Sequence, residues 1–176
     1  MLSRRTNGIA ALSLLAAALL LTACGFRPLY GERAHSASAV QHMAAIEIVP
    51  IPDRVGQELQ NQLRVRLNPR GGAATTKYRL ATRLNEIRTD LAIRDDASAT
   101  LANLQLIANY TLQDAATNAV LYSGQSRFTA SYNLVRSQFA NLVAEDDARN
   151  RAVEAISDDM RVRLGIYFDR QAKSAN

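Results

Sequence analysis

Between Lys77 and Asn133 the side chains change character with a period of two, and no other part of the chain restricts its fold as strongly. Successive Cβ atoms of a strand point to opposite faces of a sheet, so strict alternation sorts residues into an inner and an outer set; a helix would scatter them around its axis. Tyr78, Leu80 and Leu84 form the apolar side of the first segment, with Lys77, Arg79 and Arg83 opposite. Past Asn85 the parity inverts, and Ile87, Leu91 and Ile93 become the apolar set. One inserted residue turns over every later side chain, so the pattern predicts a β-bulge near Asn85-Glu86. Asp95-Asp96-Ala97 is the expected turn. The second segment sets Ala102, Leu104, Leu106, Ala108, Tyr110 and Leu112 against Asn103, Gln105, Asn109, Thr111 and Gln113. Asp114 to Ala119 turns the chain again, with Asn118 suited to a positive φ. The third segment turns Val120, Tyr122, Phe128, Ala130 and Tyr132 inward and Ser123, Gln125, Arg127, Thr129, Ser131 and Asn133 outward.

Helical periods flank these strands. Ala44 to Val49 reads as a short strand closed by Pro50 and Pro52, after which Asp53 offers a side-chain cap. Val55, Leu59, Leu63 and Leu67 then recur every four residues, and Asn68-Pro69-Arg70-Gly71-Gly72 ends that helix. After Phe139 the stripe Ala148, Ala152, Ile156, Met160 and Leu164 marks a second amphipathic helix, with Glu145, Asp146 and Asp147 near its start and Arg161, Arg163 and Arg170 near its end. The expected fold is α+β, two helices on one face of a four-stranded sheet in the order β-α-β-β-β-α.

The other face of that sheet is unusual. Its last two strands present Asn, Gln, Ser and Thr rather than Lys and Glu, side chains that donate and accept hydrogen bonds without a charge to desolvate. Such a face suits sugars or the polar wall of another protein, and equally a soluble surface. With the bulge included, Lys77, Arg79, Arg83, Arg88 and Arg94 fall on it together with Arg127, and Glu86 and Asp90 share it. Two readings stand: a cationic track for a phosphorylated lipid, or a solvated face whose charges pair among themselves. Of 21 basic residues only Lys77 and Lys173 are lysines. The formal charge of +5 is too mild to argue for nucleic acid.

The N-terminus reads as an address. Arg4 and Arg5 precede an apolar run from Ile9 to Leu21, interrupted by Ser13, which is the order of a secretory signal and by itself short for a bilayer span; the alternative is an uncleaved anchor extended through Cys24 and Phe26. Leu21-Thr22-Ala23-Cys24 resembles the bacterial lipobox, which implies cleavage before Cys24, an S-diacylglycerol thioether on it and N-acylation of the new terminus. Two or three acyl chains anchor stably where one binds marginally. Gly25 after the cysteine resembles an outer-membrane sorting signal. The expected organisation is a signal peptide over 1–23, a lipidated N-terminus and tether over 24–43 with a flexible linker from Glu32 to Gln41, the folded domain over 44–170, and a disordered tail over 171–176.

Cys24-Gly25-Phe26-Arg27-Pro28-Leu29-Tyr30-Gly31 resembles the mature N-terminus of the LptE family of lipopolysaccharide-assembly lipoproteins in its alphaproteobacterial form. The order of elements is similar to that family's fold across the mature chain. The resemblance implies a non-enzymatic, periplasm-facing lipoprotein of the outer membrane that partners the β-barrel LptD. There it would reside largely within the lumen, assist folding of the barrel and plug it while lipopolysaccharide passes. No contact residue is carried over from the family: Lys77, Arg79, Arg83, Arg88 and Arg127 are candidates for lipopolysaccharide or partner contacts on the residue reading alone.

An enzyme finds little support. The one cysteine is committed to lipid, His35 and His42 lie in the tether without an acidic cluster, and no Ser-His-Asp set, metal constellation or phosphate loop is present, so no cofactor is expected beyond the lipid. The rival is another periplasm-facing lipoprotein acting as a binding or scaffolding module, which would want a concave apolar pocket.

Overall fold

The structure is a computed structural model that describes residues 36–69, 71, 75–93 and 99–174. Its elements run α1 (Ala37–Ala44), β1 (Ile46–Ile48), α2 (Asp53–Leu67), β2 (Tyr78–Ile93), β3 (Ala99–Asp114), β4 (Val120–Asn133) and α3 (Gln138–Ser174). The strands lie in the order β1-β2-β3-β4, with β1 parallel to β2 and the other pairs antiparallel. This is the expected α+β architecture with one helix added. The leader, Cys24, the tether to His35, Arg70, Gly72, Arg94, the Asp95-Asp96-Ala97 turn and the last two residues lie outside the described residues.

The core forms where the two periodicities meet. Leu80, Leu104, Ala108 and Leu112 from the sheet are fully buried against Leu59 and Leu63 of α2 and Ile156, Met160 and Leu164 of α3. Each of the leucine, isoleucine and methionine side chains contributes about 1.5–3 kcal/mol by leaving water. The stripes at intervals of four are therefore the faces that the helices bury.

The added helix overturns the linker expectation. Ser36 Oγ accepts from the Ala39 N–H and caps α1, while Ala39 and Met43 are buried. Small residues read as flexible in isolation are here the ones that allow a short helix to lie close against α3. His42 takes a structural place: its Nδ1 lies 2.8 Å from the Tyr78 hydroxyl, and its ring stacks on Phe168 with centroids 5.2 Å apart.

Two boundary expectations also change. α2 begins at Asp53 itself, with Pro52 in the cap position and no side-chain cap; Asp53 sits at φ 67. α3 starts at Gln138 and runs to Ser174, so Glu145, Asp146 and Asp147 lie about two turns inside it rather than at its end, and the Gln171–Ser174 stretch of the expected tail is helical. Asn118 does adopt a positive φ, 58°.

The larger correction concerns β2. Its register against β3 is continuous from Tyr78–Asp114 to Asp90–Ala102, so no bulge exists at Asn85-Glu86; the shifts fall between Asp90 and Ile93. The even-numbered side chains therefore stay on the helix side as far as Asp90, which brings Glu86 and Arg88 there and leaves Ile87 42% exposed. Alternation marks the inner face only where the helix layer offers apolar partners. At this end of the molecule it offers charges.

Candidate functional site

The open face of the sheet is built from odd-numbered residues of three strands in register. Successive rows are Arg83, Asn109 and Gln125; Asn85, Ile107 and Arg127; Ile87, Gln105 and Thr129; and Thr89, Asn103 and Ser131. Hydrogen bonds link them across strands: Gln125 Nε2 donates to Asn109 Oδ1 at 2.8 Å, Gln105 Nε2 to Thr129 Oγ1 at 3.2 Å, and Ser131 Oγ to Asn103 Oδ1 at 2.7 Å. Such pairs contribute about 0.2–1 kcal/mol each. They also hold the face as an ordered grid of amides and hydroxyls with remaining donors and acceptors directed outward.

The candidate cations divide. Arg79, Arg83 and Arg127 share the open-face side, and Lys77, exposed, immediately precedes β2. Arg79 is tied to Glu47 at 3.7 Å and donates to Asn118 Oδ1 at 3.3 Å, while Arg127 Nη2 donates to Gln125 Oε1 at 3.1 Å. Arg88 does not join them. It lies on the helix side, 3.5 Å from Glu145 and 3.3 Å from Asp90, and Glu86 and Asp90 leave the open face with it. Among the described residues the surface is thereby less self-neutralised than the sequence suggests, and Glu47 pairs with Arg79 on it.

Arg88 belongs to a charged cluster between β2 and the early turns of α3 that alternation could not reveal. Arg149 grips Glu86 with two bonds of 2.9 Å, from Nε and Nη2, and Nη2 also reaches Glu145 at 2.9 Å. Paired with Glu86 above all, the guanidinium is held still more firmly protonated than usual. Tyr132 donates to Glu145 at 3.2 Å, and burial beside that carboxylate pushes its phenol upward. A cleft of about 340 Å³ beside the cluster is lined by Asp53, Arg54, Glu58, Glu86, Asp146 and Arg149 together with Val55, Asn150 and Val153. Just before the cluster, Phe139, Leu142 and Val143 are 77%, 63% and 53% exposed. Their sequence signal was present, apolar residues at helical spacing ahead of the buried stripe.

Among the described residues no group of three or more His, Cys, Asp or Glu side chains could hold a metal ion, and no helix is long and apolar enough to cross a membrane.

The sequence model of the family described as LptE, lipopolysaccharide-assembly, matches residues 42–164. The chain belongs to the LptE family. That match spans every described strand and most of α3, so the open face lies within the family's domain. The fold of this LptE-family chain is similar to three solved lipoproteins. A protein described as a lipoprotein from Caulobacter crescentus aligns with TM-score 0.63 at 24% identity, covering 75% of this chain and 96% of that one. The minor lipoprotein from Acinetobacter baumannii aligns with TM-score 0.56 at 15% identity over 70% and 92% of the two chains. Lipoprotein B from Nitrosomonas europaea aligns with TM-score 0.52 at 15% identity over 69% and 82%. No curated protein matches the chain. As a member of this family, the protein is a lipoprotein of lipopolysaccharide assembly.

Proposed function

We propose that the protein is anchored in the inner leaflet of the outer membrane by lipid on Cys24 and seats its open sheet face against the polar inner wall of the LptD barrel. In that position it assists assembly of the barrel and plugs it while lipopolysaccharide passes to the surface. The carrying observation is the cross-linked grid of Asn, Gln, Ser and Thr on that face. The lumen of a large outer-membrane barrel is lined by polar side chains, and a plug that must leave water for such a wall loses least when its contacts are uncharged and hydrogen-bonding. The role is non-catalytic, resting on surface complementarity.

Lipopolysaccharide contact belongs to the same proposal at Lys77, Arg79, Arg83 and Arg127, whose charges suit lipid phosphates. Arg88, paired with Glu145 and Asp90, is withdrawn from that set. Arg79→Glu with Arg83→Glu is expected to weaken binding to lipopolysaccharide; unchanged binding returns these residues to a solvated face.

Mild detergent extraction of the full-length protein from membranes tests the main reading. A large β-barrel recovered in near-equal amount supports it, and reproducible absence of such a companion favours a free-standing scaffold instead. For the anchor, Cys24→Ala is expected to yield uncleaved or soluble protein; mature protein still floating with outer membranes would refute that part.

A further inference from the structure

β4 is an edge strand: among the described residues it pairs with β3 alone. Which of its backbone groups are free follows from the ladder. The Tyr78 N–H donates to the Ala45 carbonyl and the Leu80 carbonyl accepts from the Val49 N–H, so even-numbered residues of β2 turn their backbone groups to β1 and odd-numbered ones turn theirs to β3. Carried through the register, even-numbered residues of β3 bond to β4. The N–H and C=O groups of Ser123, Gln125, Arg127, Thr129 and Ser131 then point to the open edge.

An unpaired row of this kind is a template for another strand, and proteins blunt it with charges, prolines or bulges. β2, whose edge beyond Leu80 also has no strand partner among the described residues, is blunted by Arg83, Glu86, Arg88 and Asp90 and by register breaks between Asp90 and Ile93. β4 is not. Its 14 residues hold no proline and a single charge, Arg127, and its register runs unbroken from Tyr132 to Tyr122.

The space beside this edge has two unlike sides. On the helix side Asp159 accepts a 2.7 Å bond from Ser126, and the Tyr167 ring lies 5.2 Å from that of Tyr122, so this flank of α3 overlooks β4. Ile166 follows Asp159 by seven residues, which places it on the same flank, and it is 41% exposed, as is Phe128 at 36%. On the open side lie Ser, Gln and Thr, with Arg127 hydrogen-bonded to Gln125 and ion-paired to no carboxylate among the described residues.

We infer that the β4 edge is a β-augmentation site for an extended segment of the barrel partner. The segment would have apolar side chains facing Phe128 and Ile166, small polar ones on the open face, and a carboxylate opposite Arg127. The strands of a closed barrel are already paired on both edges, so the segment would come from one of its loops. A second copy of this chain fits less well: β4 contains no acidic residue, so pairing with itself brings another Arg127 and no carboxylate. The inference rests on the barrel reading and specifies how the contact is made.

The test compares amide hydrogen exchange across residues 123–131 in the isolated lipoprotein and in the complex recovered by mild extraction. The edge amides are expected to exchange at least tenfold more slowly in the complex, and the β2 edge amides of Leu84 and Glu86 to change little. Ser123→Pro removes an outward N–H without touching the ladder to β3, whereas Ser123→Ala keeps that donor, and the Ser123 side chain stands outside the cross-strand bonds of the grid. The proline variant is expected to lower barrel recovery at least fivefold, and the alanine variant to retain it. A recovered barrel with β4 amides as fast as in the isolated protein overturns the inference and leaves the barrel reading standing. Failure to recover any barrel overturns both. Slowing that grows with the concentration of the lipoprotein alone shows self-pairing and also overturns the inference.

Discussion

Tyr110 and Gly124 sit opposite one another on β3 and β4, and their pairing is set by the absence of a side chain. A Cβ built on Gly124 would lie 2.5 Å from the Tyr110 hydroxyl oxygen and 2.6 Å from Cζ, so the phenol occupies the space that any other residue would fill. Gly124→Ala must displace that ring within a packed core, and a loss of about 1–3 kcal/mol in chemical unfolding is expected. The hydroxyl itself is buried without a hydrogen-bond partner among the described residues, and burial pushes its pKa far upward. Tyr110→Phe should therefore cost nothing or stabilise, since it removes an unanswered polar atom and keeps the ring. At the β3–β4 turn, Asp114 accepts from the Thr117 N–H at 2.8 Å, the Thr117 hydroxyl at 3.0 Å and the Ala116 N–H at 3.0 Å, bonds that hold its pKa below the usual value. A carboxyl depressed in the folded state stabilises above its unfolded pKa and loses that contribution as pH falls through the folded one. Stability measured against pH should thus decline below the ordinary Asp range, and Asp114→Asn should flatten that part of the profile.

At the scale of elements, the seam between β2 and α3 depends on Arg149, which satisfies Glu86 and Glu145 together. Arg149→Met would leave two half-buried carboxylates facing each other. A destabilisation of about 1–2 kcal/mol is expected after allowing for their partial exposure, diminishing as salt is added. The same seam shows where the sequence was legible. Intervals of four located both main helices, because Leu59, Leu63, Ile156, Met160 and Leu164 point into one apolar core. Alternation placed β3 correctly for the same reason. It failed on β2, since Glu86 and Arg88 turn inward to partners more than fifty residues away in the chain, and nothing local records that. The helix α1 escaped notice on similar grounds: Ser36 looks like linker until Ala39 and Met43 are seen packed, and eight residues are too few to be helical without that packing. Of the candidate surface, the polar grid was readable from side-chain type, and the grouping of cations needed the true register.

Among the described residues, the helices cover one side of the sheet and leave the other open. Membership of the LptE family links that architecture to lipopolysaccharide assembly, and the proposal that the open face meets the barrel wall gives the polar grid a purpose. Two carboxylates placed on the grid, Gln105→Glu with Ser131→Glu, would have to be desolvated against that wall while leaving the core untouched. The decisive measurement is the ratio of barrel to lipoprotein after mild extraction of the native protein and of this double variant, with melting recorded for both. The account predicts a ratio near one for the native protein, and a several-fold fall for the variant with melting lowered by no more than the loss of two cross-strand pairs allows. No barrel with the native protein, or equal recovery with the variant, would contradict it.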